Sequence, residues 1–223
     1  MVAEGFKRVY HFCDAKYGIE NLKNRRLKVA TIMELNDPFE LIAHDMRDQV
    51  IRAAVKRFKA ISAEAWGFLC FSRSYSSPVQ WAHYGDKHRG ICLGFDIPAG
   101  DLHRITYTDN RLGYEPNEVD TEEKRHAWSL GFFTTKHSHW HYEEEERMIV
   151  DLKSTDREQG LHFCPFDRAG MKLAEIIVGC NSQVTRKQIK EFASIEDHNV
   201  NFIKARPAFG RFEIVKNLNS NIW

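Results

Sequence analysis

The order in which strand-like and helix-like segments follow one another constrains this chain more than any single motif. Short β-branched and aromatic runs recur at 8–13, 27–32, 66–72, 90–97 and 104–108, and helical periodicity fills only some of the gaps. A doubly wound parallel sheet needs a helix at each crossover, and so a regular strand–helix–strand rhythm. That rhythm is absent, so the order predicts an α+β fold. The 223 residues, 43% hydrophobic and 28% charged, predict one domain over 1–223 with a sizeable core.

Local signals divide the chain further. Asp14 is placed to cap a helix carrying Tyr17, Ile19 and Leu22. Asn36-Asp37-Pro38 makes a turn from which Asp37 or the proline opens a helix. Residues 41–59 are then amphipathic, with Ile42, Met46, Val50, Ala53, Ala54 and Phe58 on one stripe. Ser76-Ser77-Pro78 opens a short helix through Trp81 and Tyr84. Helices are expected at 117–133, capped by Asn117, and at 167–178 and 185–195. Residues 139–150 read as a strand, and 200–205 with 209–215 as a terminal strand pair.

Several function classes lose support at this level. The formal net charge is +1, without the basic excess of a protein that neutralises phosphates. No Gly-rich phosphate loop, GxSxG elbow or HExxH helix occurs. The cysteines Cys13, Cys70, Cys92, Cys164 and Cys180 form no CxxC pair, and three sit in apolar runs. Buried reduced thiols in a cytoplasmic protein are the expectation. The N-terminal residues lack an apolar signal stretch, and no run approaches a membrane span, so no membrane partner is expected.

Four segments carry groups suited to chemistry. Tyr10-His11-Phe12 places an imidazole in an apolar strand, either as a hydrogen-bonded core residue or at a pocket wall. Asn36-Asp37-Pro38-Phe39-Glu40 is explained by turn chemistry, or also faces a ligand. Ser72 and Arg73 end a strand, and Trp81 and Tyr84 share a helix face, as core residues or as rings on which a planar group stacks. The fourth segment, His137 to Arg147, is the densest. In a strand, His137, His139, His141, Glu143, Glu145 and Arg147 share one side. Paired carboxylates there repel, which raises the pKa of one of them. Three histidines on one face could also converge on a divalent metal.

The blocks Leu-Asn-Asp-Pro-Phe-Glu at Leu35–Glu40, Trp-x-His-Tyr-Gly-Asp-x-His-x-Gly-Ile-Cys-Leu-Gly-Phe-Asp at Trp81–Asp96 and Lys-x-x-x-Trp-x-Tyr-Glu-x-Glu-x-Arg at Lys136–Arg147 stand in an order that resembles the bacterial domain-of-unknown-function family 2971. More weakly, a first-strand His, a later strand ending in Ser with an aromatic helix, and a Glu-x-Glu strand are similar to the ADP-ribosyltransferase superfamily. That resemblance implies a split mixed or antiparallel β-sheet with flanking helices, and NAD as the cofactor. It implies Glu145 and Glu143 as catalytic residues. It implies His11, Ser72 and Tyr84 at the cofactor; Tyr10, Asn36, Arg73 and Trp81, from the segments read above, complete the candidate cofactor-binding set, and no metal ligand is assigned. The function it implies is ADP-ribosyl transfer or NAD glycohydrolysis, possible in a toxin-like or defence protein, on an acceptor that can be a nucleic acid. The alternative is a non-catalytic module binding a nucleotide, nucleic acid or protein, drawn from the aromatics beside Arg73, Arg89 and Arg147. A third reading is a metal-dependent hydrolase built on the three histidines.

Overall fold

The computed structural model describes residues 2–113, 121–192, 199–219 and 223. In chain order the first elements are β1 (Phe6–Cys13), α1 (Ala15–Asn24), β2 (Arg26–Thr31), α2 (Gln49–Ala65), β3 (Trp66–Ser72), α3 (Pro78–His83) and β4 (Ile91–Pro98). Then come β5 (His103–Arg104), β6 (Thr106–Thr108), α4 (Glu122–Thr134), β7 (Thr135–His137), β8 (Glu145–Asp151), β9 (Asp156–Glu158) and β10 (Leu161–Pro165). The last are β11 (Lys172–Val178), α5 (Arg186–Phe192), β12 (Asn201–Pro207) and β13 (Ile214–Lys216). The fold is α+β, a mixed sheet with flanking helices, as the irregular element order predicts.

The sheet has two parts. In one, β4 pairs antiparallel with β1 and β11, β12 adds in parallel to β11, and β13 closes the edge. In the other, β8 pairs antiparallel with the full length of β3, while β2, β10 and β9 extend outward. Both parts compete for the second edge of β3. Strand β2 takes its start, at Thr31–Gly67 and Ala30–Phe68, and β1 takes its end, at the pair Tyr10–Ser72. The middle of that edge, Leu69 to Phe71, has no strand ladder, and the sheet splits there.

The core follows this division. Leu69, Phe71, Leu93, Phe95 and Ile176 form the main cluster, and Phe68, Phe132 and Phe133 form a second under α2 and α4. Asp14 caps α1 and Ser77 caps α3, with Pro78 in the first turn, as their sequences predict. Among the described residues no helix is long and apolar enough to cross a membrane.

Several expectations are corrected. The amphipathic segment at 41–59 starts late, because Leu41 lies at φ 60 and the helix waits for the Asp48 cap. Val50, expected on the buried stripe, is 76% exposed. Asp37 opens no helix; its carboxylate accepts the Phe39 amide in a turn. The expected helix at 167–178 does not form: residues 167–170 are a turn and Lys172–Val178 is strand β11, whose Ile176-Ile177-Val178 run fits a ladder between two strands. Residues 139–150 are not one strand. Ser138–Glu143 is a 3₁₀ helix, Glu144 turns the chain at φ 45, and β8 begins at Glu145. Helix α4 is capped by Thr121; the expected cap Asn117 and the end of the 185–195 helix lie outside the described residues. The β9–β10 hairpin has no counterpart in the sequence reading.

Candidate functional site

The split in the sheet positions the site. With no strand against the middle of β3, the Cys70 carbonyl needs another donor. His11 supplies it from β1: its Nδ1 lies 3.1 Å from that oxygen. A carbonyl only accepts, so Nδ1 carries the proton and Nε2 is left as an acceptor in the neutral ring. Burial lowers the His11 pKa against the opposing pull of this bond, which keeps the ring neutral.

Around His11 lies a cleft of about 170 Å³ lined by Tyr10, Asn36, Ser72, Gln80, Tyr84, Lys136, Glu143 and Glu145. Its polar groups are cross-linked. Tyr84 donates to Glu143 Oε1 at 2.5 Å and accepts from Asn36 at 3.1 Å. Burial, then the Glu143 charge, raises the Tyr84 pKa. Gln80 Nε2 lies 3.0 Å from Ser72 Oγ and 2.5 Å from the Glu143 carbonyl, while its Oε1 is buried without a hydrogen bond.

Behind the cleft sits a buried ionic network. Lys136 Nζ lies 2.8 Å from Glu143, 2.7 Å from Glu145 and 3.6 Å from Glu40. Arg147 lies 2.5 Å from Glu40 and 2.8 Å from Glu145. Burial alone would raise the Glu145 pKa, but Arg147 and Lys136 outweigh it and hold the carboxyl at about 2. For Glu145 the direction is opposite to that of a carboxylate raised by a like neighbour, because Arg147 and Lys136 flank it. Lys136 is held protonated: burial opposes its charge, and Glu145, Glu40 and Glu143 overcome that. By formal charge, three carboxylates face two cations, so the network carries one excess negative charge at the cleft wall.

Of the expected residues, His11, Tyr10, Asn36, Ser72, Tyr84, Glu143 and Glu145 come together. Tyr10 lines the cleft with its ring, but its hydroxyl donates to Glu175 at 3.0 Å. Two do not join. Trp81 is fully buried, packed edge-on to Phe12 at 5.2 Å with Nε1 donating to the Tyr75 carbonyl, so its ring is core rather than a stacking face. Arg73 turns to Glu144, with its Nε donating to the Glu144 carbonyl. The arginines behind the binding-module alternative form no basic face, since Arg73, Arg89 and Arg147 each engage a carboxylate. The three histidines of the segment lie on or beside the 3₁₀ helix. Among the described residues no three His, Cys, Asp or Glu side chains cluster as a metal site requires.

Lys136, Gln80 and Glu40 belong to the site without having been assigned a role from sequence. Gln80 had a signal, since it lies one helical turn before Tyr84. Lys136 and Glu40 stand in the sequence blocks 136–147 and 35–40, but nothing local says that a lysine and a glutamate so far apart share a buried network. Comparison of the chain with protein-family models, with curated proteins and with solved structures finds no match in any of the three.

Proposed function

We propose that the cleft binds the nicotinamide–ribose half of NAD and promotes ADP-ribosyl transfer to water or to an acceptor. The supporting observation is the convergence of His11, Ser72, Tyr84, Glu143 and Glu145 on one cleft whose wall carries an excess negative charge. NAD supplies a ribosyl group whose bond to nicotinamide breaks with the electron pair going to the ring nitrogen, leaving cationic character on the ribose. The residues suit that demand. Glu145 stays ionised and fixed by Arg147 and Lys136, a preorganised charge for a developing cation. Glu143 is the second carboxylate, placed to take the proton of the attacking hydroxyl. The Tyr84 ring offers a face to the nicotinamide. Gln80 Oε1 accepts from its carboxamide, and His11 Nε2 accepts from a ribose hydroxyl. A volume of about 170 Å³ admits a ring and part of a sugar, so the rest of the dinucleotide lies outside the cleft.

Incubating the protein with NAD and following free nicotinamide tests this. Release is expected, and Glu145→Gln or Glu143→Gln should lower it by about 10²–10³-fold while the circular dichroism spectrum is unchanged. NAD binding without release, insensitive to Glu145→Gln, would make the cleft a binding module. Absence of both release and calorimetric binding would overturn the proposal.

A further inference from the structure

Next to the cleft lies a larger cavity of about 570 Å³, within the size range of small-molecule sites. Lys136, which is buried, lines both. Phe39, Ile42 and Trp140 supply apolar and aromatic wall, and Asp37, Arg111, His137 and His139 supply polar groups. Phe39 is 56% exposed although it borders a cavity, and the Arg111 guanidinium lies 5.1 Å from its ring centroid.

The chemistry of the ligand follows from Asp37. Its side chain is only 4% exposed. Oδ1 is used by the turn, accepting the Phe39 amide at 2.8 Å. Oδ2 is buried and has no hydrogen-bond partner. A buried carboxylate oxygen without a donor is costly, and a native structure keeps one where something else completes it. Asp37 is itself part of the cavity lining. The missing group is a hydrogen-bond donor, which an N–H supplies. By formal charge Asp37 and Asp109 balance Arg111 and Lys136 in the lining, so the walls call for no net charge on the group that enters. A neutral planar ring bearing an amino group meets all the conditions. The aromatic walls take its faces and Asp37 its amine, and Arg111, anchored through Nη1 to the Ile42 carbonyl, stands in the same lining for a phosphate attached to it.

We propose that this cavity is a second ligand site that binds an amino-bearing nucleobase of a nucleotide, selected by Asp37 and held against Phe39 and Trp140. The base could belong to the adenosine end of a dinucleotide or to a separate nucleotide. The site does not depend on what the smaller cleft does.

The test is calorimetric titration of the full chain with matched nucleoside monophosphates: adenosine against inosine, and cytidine against uridine. The amino-bearing member of each pair should bind at least about tenfold more tightly, since a site built to hydrogen-bond an N–H rejects the analogue lacking it. Asp37→Asn keeps the turn acceptor and replaces Oδ2 by an amide donor, so it should reverse the preference toward inosine and uridine. Phe39→Leu should weaken both members of each pair equally. Competition between NAD and adenosine monophosphate assigns the site to the adenine end, and simultaneous binding assigns it to a separate nucleotide. Equal affinity within each pair, no binding of any nucleotide, or an unchanged preference in Asp37→Asn would overturn the proposal. If nicotinamide release fails while the adenosine–inosine discrimination holds, the catalytic reading falls and this site stands.

Discussion

Arg147 shows what a single residue contributes to the site. It is 1% exposed, and its guanidinium is engaged throughout: Nε and Nη2 on Glu145, Nη2 on Glu40, and Nη1 on the Phe133 carbonyl. Its plane also lies 4.7 Å from the Phe68 ring. Such a cation is expensive to bury, and its pairs roughly repay that rather than adding large net stability. Removing one partner is different, because it strands charge. Arg147→Met would leave Glu40 and Glu145 with Lys136 as their remaining cation. The expected loss is about 3–5 kcal/mol, read as a fall in the urea midpoint. Arg147→Lys should not restore it, since an ammonium cannot make the forked contacts to two carboxylates and a carbonyl. A loss below about 1 kcal/mol in Arg147→Met would mean that the network is solvated and weak, as surface pairs are.

At the scale of elements, β3 decides where the cleft opens, because two strands divide one of its edges. Gly67 holds the β2 side of that division. A Cβ there would meet Val29 Cγ1 at 2.5 Å, Leu152 Cδ2 at 2.9 Å and the Ala30 carbonyl at 3.1 Å. Gly67→Ala should therefore destabilise by about 1–3 kcal/mol through overpacking. It should also speed amide exchange in β2 more than in β4, which hydrogen exchange would resolve; uniform protection would show that the two parts do not separate. Strand β3 itself is legible in sequence, since Trp-Gly-Phe-Leu-Cys-Phe-Ser is an apolar run with a turn after it. The caps Asp14 and Ser77 are legible for the same local reason. Strand β11 is not, because an apolar run such as Leu-Ala-Glu-Ile-Ile-Val suits a helix or a ladder and only its neighbours β4 and β12 decide. The site divides likewise. Alternation placed Glu145 beside Arg147, which β8 keeps, but Glu143 reaches the cleft from a 3₁₀ helix, a route that no strand pattern describes. Trp81 had the spacing of a stacking residue and was claimed by the core, where packing against Phe12 outweighs any ligand.

For the whole molecule, the buried titratable groups set a window of pH stability. On the acid side His11 and His88 both have pKa values lowered from 6.5, chiefly by burial. The unfolded chain therefore takes up protons before the folded one, and the stability these rings contribute is full above about 6.5 and falls as pH drops through their folded values. Glu145 adds a second step. Its folded pKa of about 2 lies below the 4.5 of the free group, so its contribution is complete above 4.5 and is lost as pH falls toward 2. By linkage that step is of order 3 kcal/mol. On the alkaline side burial raises the Cys92 thiol above 9.0 and the Tyr84 phenol above 10.0. There the unfolded chain loses protons first, so stability falls as pH rises past about 9. Lys136, raised from 10.5 on balance by its three carboxylates, extends the alkaline loss beyond that value. The formal net charge of +1 adds little general repulsion near neutrality, so these specific groups should govern the profile. Urea midpoints measured across the acid and alkaline ranges should show a plateau from about pH 6.5 to 9, with a two-step acid limb. Glu145→Gln should flatten the lower acid step and leave the alkaline limb in place. An acid limb unchanged by that substitution would show that Glu145 is not held ionised by Arg147 and Lys136, and would remove the fixed charge on which the proposed chemistry depends.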